Sequence, residues 1–552
     1  MKLLKVLCVA AIAIAIAAPS FAAVQNIKVS GSIEERAIFM NNFDLRNKGE
    51  ETTMDRITGL NQGGAMGSGN SINEDSDDFV LSTIRVGVES DLTDNVSAAI
   101  VLANQARWGD AAGATDVDVN KAYITLKEFF YQPLTLKIGR QDLMFGTGLI
   151  IGPGIFRDPS GAFPMPRADQ RLDPLIGAAN VAANAIPISG PMGEQYSIST
   201  YYDAIRATLD FDPWTIDAIF AKITEMDAGN DDEDLAGANV AYKFDVYNAK
   251  AEGYYFFKKD DNFNSELGYI HPVDVANVAA LRAAQGAGLA APVAFTDVSV
   301  LGVGPRSYEQ NRVHVIGLRG DIEPVENLTL QGEGAFQWGK LYDPEGPFNA
   351  TTTQGPINRS RRAWAVDLSG NYLWKDVDYK PNLGLGYVFR SGNKQGNSGN
   401  FNGWDPMFRG KFYSLIRDYQ YGAGAAYDMQ GGNIYRTLDY LAPSGATNSH
   451  LFYVDGGLVP MEDLTLKTRY LNWWAVEKVT NYIPNLAQSS RGGKHIGQEI
   501  DTSLVYDYTE DVQFDLSGGI FIPGALFDDN TDAATKGNDN ALIVTGGVKV
   551  VF

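Results

Sequence analysis

The sequence predicts an all-β fold, a transmembrane antiparallel β-barrel of about 18 strands with short periplasmic turns and long extracellular loops. Three observations carry this. Strands of roughly ten residues with alternating faces recur along the chain. The connections between them alternate between short and long. The last strand ends on an aromatic residue, Phe552.

Composition excludes other classes first. The chain has 552 residues, 45% of them hydrophobic and 11% aromatic, so it is too apolar to be disordered. Its mean hydropathy of −0.16 does not fit a bundle of helical spans, which needs many apolar runs of about 20 residues. The net charge of −22 argues against nucleic acid as a partner, because phosphate contacts need a basic surface. With 58 Gly, 27 Phe and 26 Tyr, the composition suits many short antiparallel strands.

From the N-terminus, residues 1–22 read as a signal peptide and 23–552 as one barrel domain. Lys2 and Lys5 start the leader, Val6 to Ala18 is apolar, and Ser20 and Ala22 are small residues before a cut at Ala23. The apolar run is too short to span a membrane. Cys8, the one cysteine of the chain, lies inside it, so the exported protein has no disulfide to hold it.

The first strand is expected over Ile27 to Phe39. Eight hairpins follow, turning near 91–95, 130–133, 212–213, 245–247, 323–327, 375–380, 460–463 and 509–511. The long connections fall near 41–78, 108–116, 144–199, 226–234, 259–310, 340–360, 391–447, 476–497 and 523–540. Within 259–310, the run 273–285 reads as a short helix after Pro272, a lid or an oligomer contact. Loops of such length, all on one side, do not suit a soluble sandwich.

The strands themselves justify the membrane. Ile205, Ala207, Leu209 and Phe211 alternate with Arg206, Thr208 and Asp210. Leu328, Leu330, Phe336 and Trp338 alternate with Thr329, Gln331, Glu333 and Gln337. A period of two places each set on one side of the sheet. The charged side faces water; the aliphatic side, aromatic near the strand ends, faces lipid. In the last strand Leu542, Val544, Val548, Val550 and Phe552 share the apolar face. A terminal aromatic at this place is the signal read by the barrel-assembly machinery during insertion. The first strand would pair with the last, leaving no open edge in lipid. About 18 strands enclose a water-filled lumen.

Two motifs carry a family resemblance. Ile138-Gly139-Arg140-Gln141-Asp142-Leu143-Met144-Phe145-Gly146 resembles the I-G-R-Q-x-L-x-Y-G strand of the alginate-export porins of the outer membrane. Tyr202-Asp203-Ala204-Ile205-Arg206 is similar to that family's F-D-G-x-R strand, with Ala204 in place of the Gly. The resemblance implies an 18-stranded channel that passes an anionic polysaccharide through a basic constriction.

Face assignment points Arg85, Lys137, Arg206, Arg390, Lys467 and Arg469 into the lumen, together with Asp217, Glu333 and other acids. The lumen is then roughly balanced, and the excess acid belongs to loops and turns. Rings of charge set pore selectivity, so a balanced lumen argues for a general or moderately selective pore. Arg140 falls on the lipid face, as a bulge or at the strand end in the headgroup zone. Arg157, Arg167 and Arg171 lie in the Pro-rich 144–199 loop and are candidates for the constriction, where they could grip carboxylates or phosphates. The alternative pairs them with Asp158, Asp169 and Asp173 on the surface. Asp227, Asp231, Asp232 and Asp234 are a candidate weak calcium site, although the spacing does not fit an EF-hand loop and a solvated acidic loop reads as well.

The function this supports is an outer-membrane porin for passive diffusion of small hydrophilic or anionic solutes, or export of an anionic polysaccharide. A structural or adhesive barrel is the alternative. An outer-membrane hydrolase would need a nucleophile–base pair, and neither G-x-S-x-G nor H-E-x-x-H occurs. A plugged transporter would carry about 150 residues before its first strand, to fill a wider lumen. The expected partners are outer-membrane lipids and lipopolysaccharide, the assembly machinery, the solute and, as an open question, a second copy of the chain. No cofactor is called for.

Overall fold

A computed structural model describes residues 26–42, 76–109, 117–153, 196, 201–224, 233–260, 311–343, 357–394, 400–419, 447–477, 493–526 and 539–552. They form 18 antiparallel strands. These are β1 (Asn26–Asn41), β2 (Ser76–Thr93), β3 (Val96–Arg107), β4 (Asp118–Leu126), β5 (Leu134–Gln141), β6 (Tyr202–Asp210), β7 (Trp214–Thr224), β8 (Glu233–Lys243) and β9 (Lys250–Asp260). They continue as β10 (Asn311–Val325), β11 (Leu328–Asp343), β12 (Ile357–Leu373), β13 (Asn382–Arg390), β14 (Ser449–Met461), β15 (Leu464–Ala475), β16 (His495–Asp507), β17 (Val512–Pro523) and β18 (Ala541–Val551). The expected strand number holds, and every expected short turn joins the pair of strands assigned to it. The helix expected over 273–285 lies outside the described residues, as do the leader and most of the long loops.

Each strand pairs with its chain neighbours, and β1 pairs with both β2 and β18, so the sheet closes on itself. Closure is a physical requirement here. An open edge in hydrocarbon would leave a row of N–H and C=O groups unsatisfied at several kcal/mol each. The β1–β18 register runs from Ser32↔Val551 to Asn41↔Leu542. The backbones of Gly31 and Phe552 then exchange two further hydrogen bonds, of 2.8 and 3.0 Å.

The seam is bolted on the inner side as well. Arg36 of β1 reaches across β18 to Asp515 of β17, donating at 2.5 and 2.8 Å, and also binds Glu34. It passes over Gly547, the register partner of both residues. A Cβ there would stand 2.7 Å from Asp515 Oδ1 and 2.8 Å from Arg36 Nη2, so glycine makes the crossing possible.

The outer face is apolar as the alternation predicts. Ile100, Ile316, Leu318, Leu368, Leu385 and Leu516 are exposed in mid-strand. Aromatic side chains flank them: Trp214, Tyr242 and Phe244 meet edge to face at the short-turn end, and Trp364 packs on Phe389 toward the long-loop end. Arg140 does lie outward, at the long-loop end of β5, where its guanidinium binds Asp203 of β6 at 3.0 Å through Nε and Nη2. The strand-end reading of this arginine is the one the geometry bears out.

Gly31 leads to a first prediction. A Cβ at this position would lie 2.5 Å from the Phe552 ring and 2.8 Å from the Arg85 carbonyl. Gly31→Val should therefore displace the terminal aromatic from the seam at a cost of about 1–3 kcal/mol. The expected result is a smaller fraction of barrel in the folded, heat-modifiable form on a semi-native gel, with Gly87→Ala, which has more room, close to wild type.

Candidate functional site

Two of the long connections turn inward at their described parts. After β5, residues 142–153 fold into the barrel; after β13, residues 400–419 do so. They meet: Ile151 pairs with Phe408 in a parallel bridge, and Gly152 donates to the Phe408 carbonyl at 2.9 Å. Leu143, Phe145, Leu149, Ile150, Trp404 and Phe408 pack with inward wall residues Phe256, Val313 and Val315 in one apolar cluster. Tyr413 and Ile416 enter a second cluster on the opposite wall, with Leu451, Trp473, Phe521 and Ile543. Burial of each such side chain stabilises by about 1.5–3 kcal/mol, which holds the loops inside.

Infolded loops lack a sheet to satisfy their backbone, and inward carboxylates of the wall supply the acceptors. Glu333 of β11 accepts from the Thr147 N–H at 2.7 Å, the Thr147 hydroxyl at 2.6 Å and the Tyr254 hydroxyl at 2.6 Å. Glu252 accepts from the Gly146 N–H at 3.2 Å and from Arg319 at 2.7 Å. Across the barrel, Glu499 accepts from the N–H groups of Ile416 and Arg417 at 2.7 and 3.0 Å, and Asp501 from that of Leu415 at 3.0 Å. Lys411 and the Tyr413 hydroxyl both bind Asp367. Burial pushes the Tyr413 phenol well above its ordinary range, so it remains a donor to that carboxylate.

The traffic also runs the other way. Asp405 of the second loop is fully buried, with its backbone exchanging hydrogen bonds of 2.9 and 2.7 Å with the Gln337 amide. Lys258 and Arg361 approach its carboxylate to 3.5 and 3.6 Å. Arg469 donates to the Tyr413 carbonyl at 3.0 Å while bound to Asp455 at 2.5 Å.

The residues picked from sequence therefore separate. Glu333 and Asp217 are buried, the first holding a loop and the second bound to Arg206 at 2.8 Å and to the Thr208 hydroxyl at 2.6 Å. Arg390 is buried too, with its guanidinium 5.4 Å from the Tyr413 ring centre. Arg85, Lys137, Arg206 and Arg469 keep part of their surface open, and Lys467 is exposed. Lys137 and Arg206 are cross-strand neighbours. Lys137 sits 3.7 Å over the Tyr123 ring, and nearby Lys121 binds Asp142 at 2.6 Å. Arg157, Arg167 and Arg171 lie outside the described residues, as do Asp227, Asp231 and Asp232. Asp234 is in β8 and pairs with Lys222 at 3.2 Å.

Sequence reading passed over the second inward segment. The signal was present: Phe401, Trp404, Met407, Phe408, Tyr413 and Ile416 fall within sixteen residues of a nominal surface loop, and all six are buried. A solvated loop has no use for such a run.

A closed 18-stranded barrel, apolar outside, aromatic at both ends and lined by charged side chains and infolded loops, is an outer-membrane channel for solutes. The alginate export family model matches residues 198–538, more than half of the chain, and the protein belongs to that family of the bacterial outer membrane. Among solved structures it is similar to Pseudomonas aeruginosa OpdQ, at 11% identity and a TM-score of 0.46, over 97% of this chain and 99% of that one. It is also similar to OccK8 (OprE) of the same organism, at 11% identity and a TM-score of 0.45, over 96% and 98% of the two chains. No curated protein matches the sequence.

If wall carboxylates hold the loops in place, removing one should loosen the pore without opening the barrel. Glu333→Ala and Glu499→Ala each strand loop N–H donors in a buried setting, at about 1–3 kcal/mol per group. Planar-bilayer recording should then give higher open-channel noise and a raised mean conductance, while the heat-modifiable band persists. Unaltered traces from both variants would remove the carboxylates from loop positioning.

Proposed function

We propose that the channel passes small anionic hydrophilic solutes along a basic strip of wall on β2–β6. The observation that carries this is Lys137, partly open to the interior beside Arg206, which Asp217 holds in place, with Arg85 on a neighbouring strand. Many inward acids are occupied elsewhere: Glu252, Glu333, Asp367, Glu499 and Asp501 accept from the infolded loops. A carboxylate or phosphate would meet fixed donors here and exchange between them, which favours passage over tight retention.

The two infolded loops fill part of the cross-section with apolar side chains, and this favours small solutes over a polymer chain. Arg157, Arg167 and Arg171 remain proposed additions to the constriction, and Phe552 the proposed assembly signal. No catalytic step belongs to this reading.

Reversal potentials in a salt gradient test it. Wild type is expected to favour anions, and Lys137→Gln with Arg206→Gln to shift the reversal potential toward cation preference. Liposome swelling with uronates and with neutral sugars of equal size should show the same variant losing its preference for the uronate. Cation preference in the wild type would overturn the assignment. Arg167→Ala with Arg171→Ala should lower uronate uptake further; unchanged conductance and selectivity would exclude those two from the constriction.

A further inference from the structure

Arg390, the last residue of β13, points into the barrel and is 1% exposed. Among the described residues its guanidinium forms no hydrogen bond and no ion pair, and Nη1 is fully enclosed. It lies over the ring of Tyr413 of the second inward loop, 5.4 Å from the ring centre. Its register partner across β13–β14 is Ser449. Ser449 is fully buried, and its hydroxyl has no hydrogen-bond partner either. Direct partners point to the same side of the sheet, with Cβ atoms about 4.5–5.5 Å apart. A cation and a hydroxyl donor thus stand side by side behind the loop, and neither has an acceptor.

The carboxylates around this point are engaged elsewhere. Asp367 accepts through Oδ2 from Lys411 at 2.6 Å and from the Tyr413 hydroxyl. Its Oδ1 is buried without a partner and makes no ion pair with Arg390. Asp418 binds Arg409 at 3.0 Å and accepts from the N–H groups of Tyr413 and Ser414 at 2.5 and 3.1 Å. Arg390, Arg409 and Lys411 against Asp367 and Asp418 leave one positive charge over, and it falls on the most enclosed of the three cations. An uncompensated buried charge costs far more than a cation–π contact returns. The surplus is a single charge, so the missing group is monovalent. The enclosure selects an anion that is small and sheds its water readily. We propose that Arg390 and Ser449 hold one small monovalent inorganic anion, of the chloride type, between β13–β14 and the second inward loop. The anion neutralises Arg390 beside Tyr413 and so keeps residues 400–419 seated on the wall. The site is independent of the strip on β2–β6 and of the solute that passes there.

Limited trypsin digestion of the full-length barrel in nonionic detergent tests this, because Arg409, Lys411 and Arg417 are cleavage points inside the loop. Rates are read in chloride, gluconate and sulfate salts at one ionic strength. In wild type, cleavage at these points should slow about tenfold once chloride exceeds its dissociation constant tenfold, and gluconate and sulfate should not protect. Arg390→Gln should be cleaved at one rate in all three salts. Ser449→Ala, which keeps the charge, should raise the half-protecting chloride concentration about tenfold, and it covers the case in which the arginine variant does not fold. Crystals of wild type grown in sodium bromide should show one anomalous peak within hydrogen-bond distance of Arg390 and the Ser449 hydroxyl. The site is overturned by equal wild-type rates in chloride and gluconate, by sulfate protecting as well as chloride, by unchanged chloride dependence in both variants, or by the lack of a bromide peak at this place.

Discussion

Backbone hydrogen bonding in a medium without water is the constraint on which this structure rests. Each N–H and C=O in the hydrocarbon layer needs a protein partner, and a sheet meets that demand only when it has no edge. Everything about the seam serves this. β18 carries Gly547 where Arg36 must cross to Asp515, and β1 carries Gly31 where the Phe552 ring must lie. Small residues at two positions let two large side chains fasten the first strand to the last.

The same demand reappears inside, where the two inward loops have left the sheet. Their N–H groups are satisfied by carboxylates that the strand alternation already points inward. Glu333 and Glu499 play equivalent parts on opposite walls, each taking two donors from one loop turn. The acids of the interior thus serve largely as structure. Apolar packing around Phe408 and Tyr413 supplies the energy that keeps the loops inside, and the carboxylates fix where they stop.

Charge is divided in a consistent way across the wall. Inside, paired sites such as Arg206–Asp217 and Arg469–Asp455 alternate with more open cations such as Lys137 and Arg85. The interior therefore presents cations although the overall chain charge is −22, with much of the acid in the loops and turns of the sequence.

Strand number, the order of turns and loops, the closing pair and the direction of nearly every side chain were legible in the sequence, because a period of two and a bilayer of fixed thickness leave little freedom. Arg206, Lys137 and Glu333 fall on the inner face of the alternation for that reason. Their roles were not legible. Periodicity tells which way Glu333 points and cannot tell that a Thr147 amide waits there, because the partner lies 186 residues away in sequence and outside any repeating element. The inward turn of residues 400–419 likewise depends on apolar contacts with strands far along the chain. Local alternation determined the barrel and which way its charges point; long-range register and packing decided which inward charges hold loops and which stay open to the lumen.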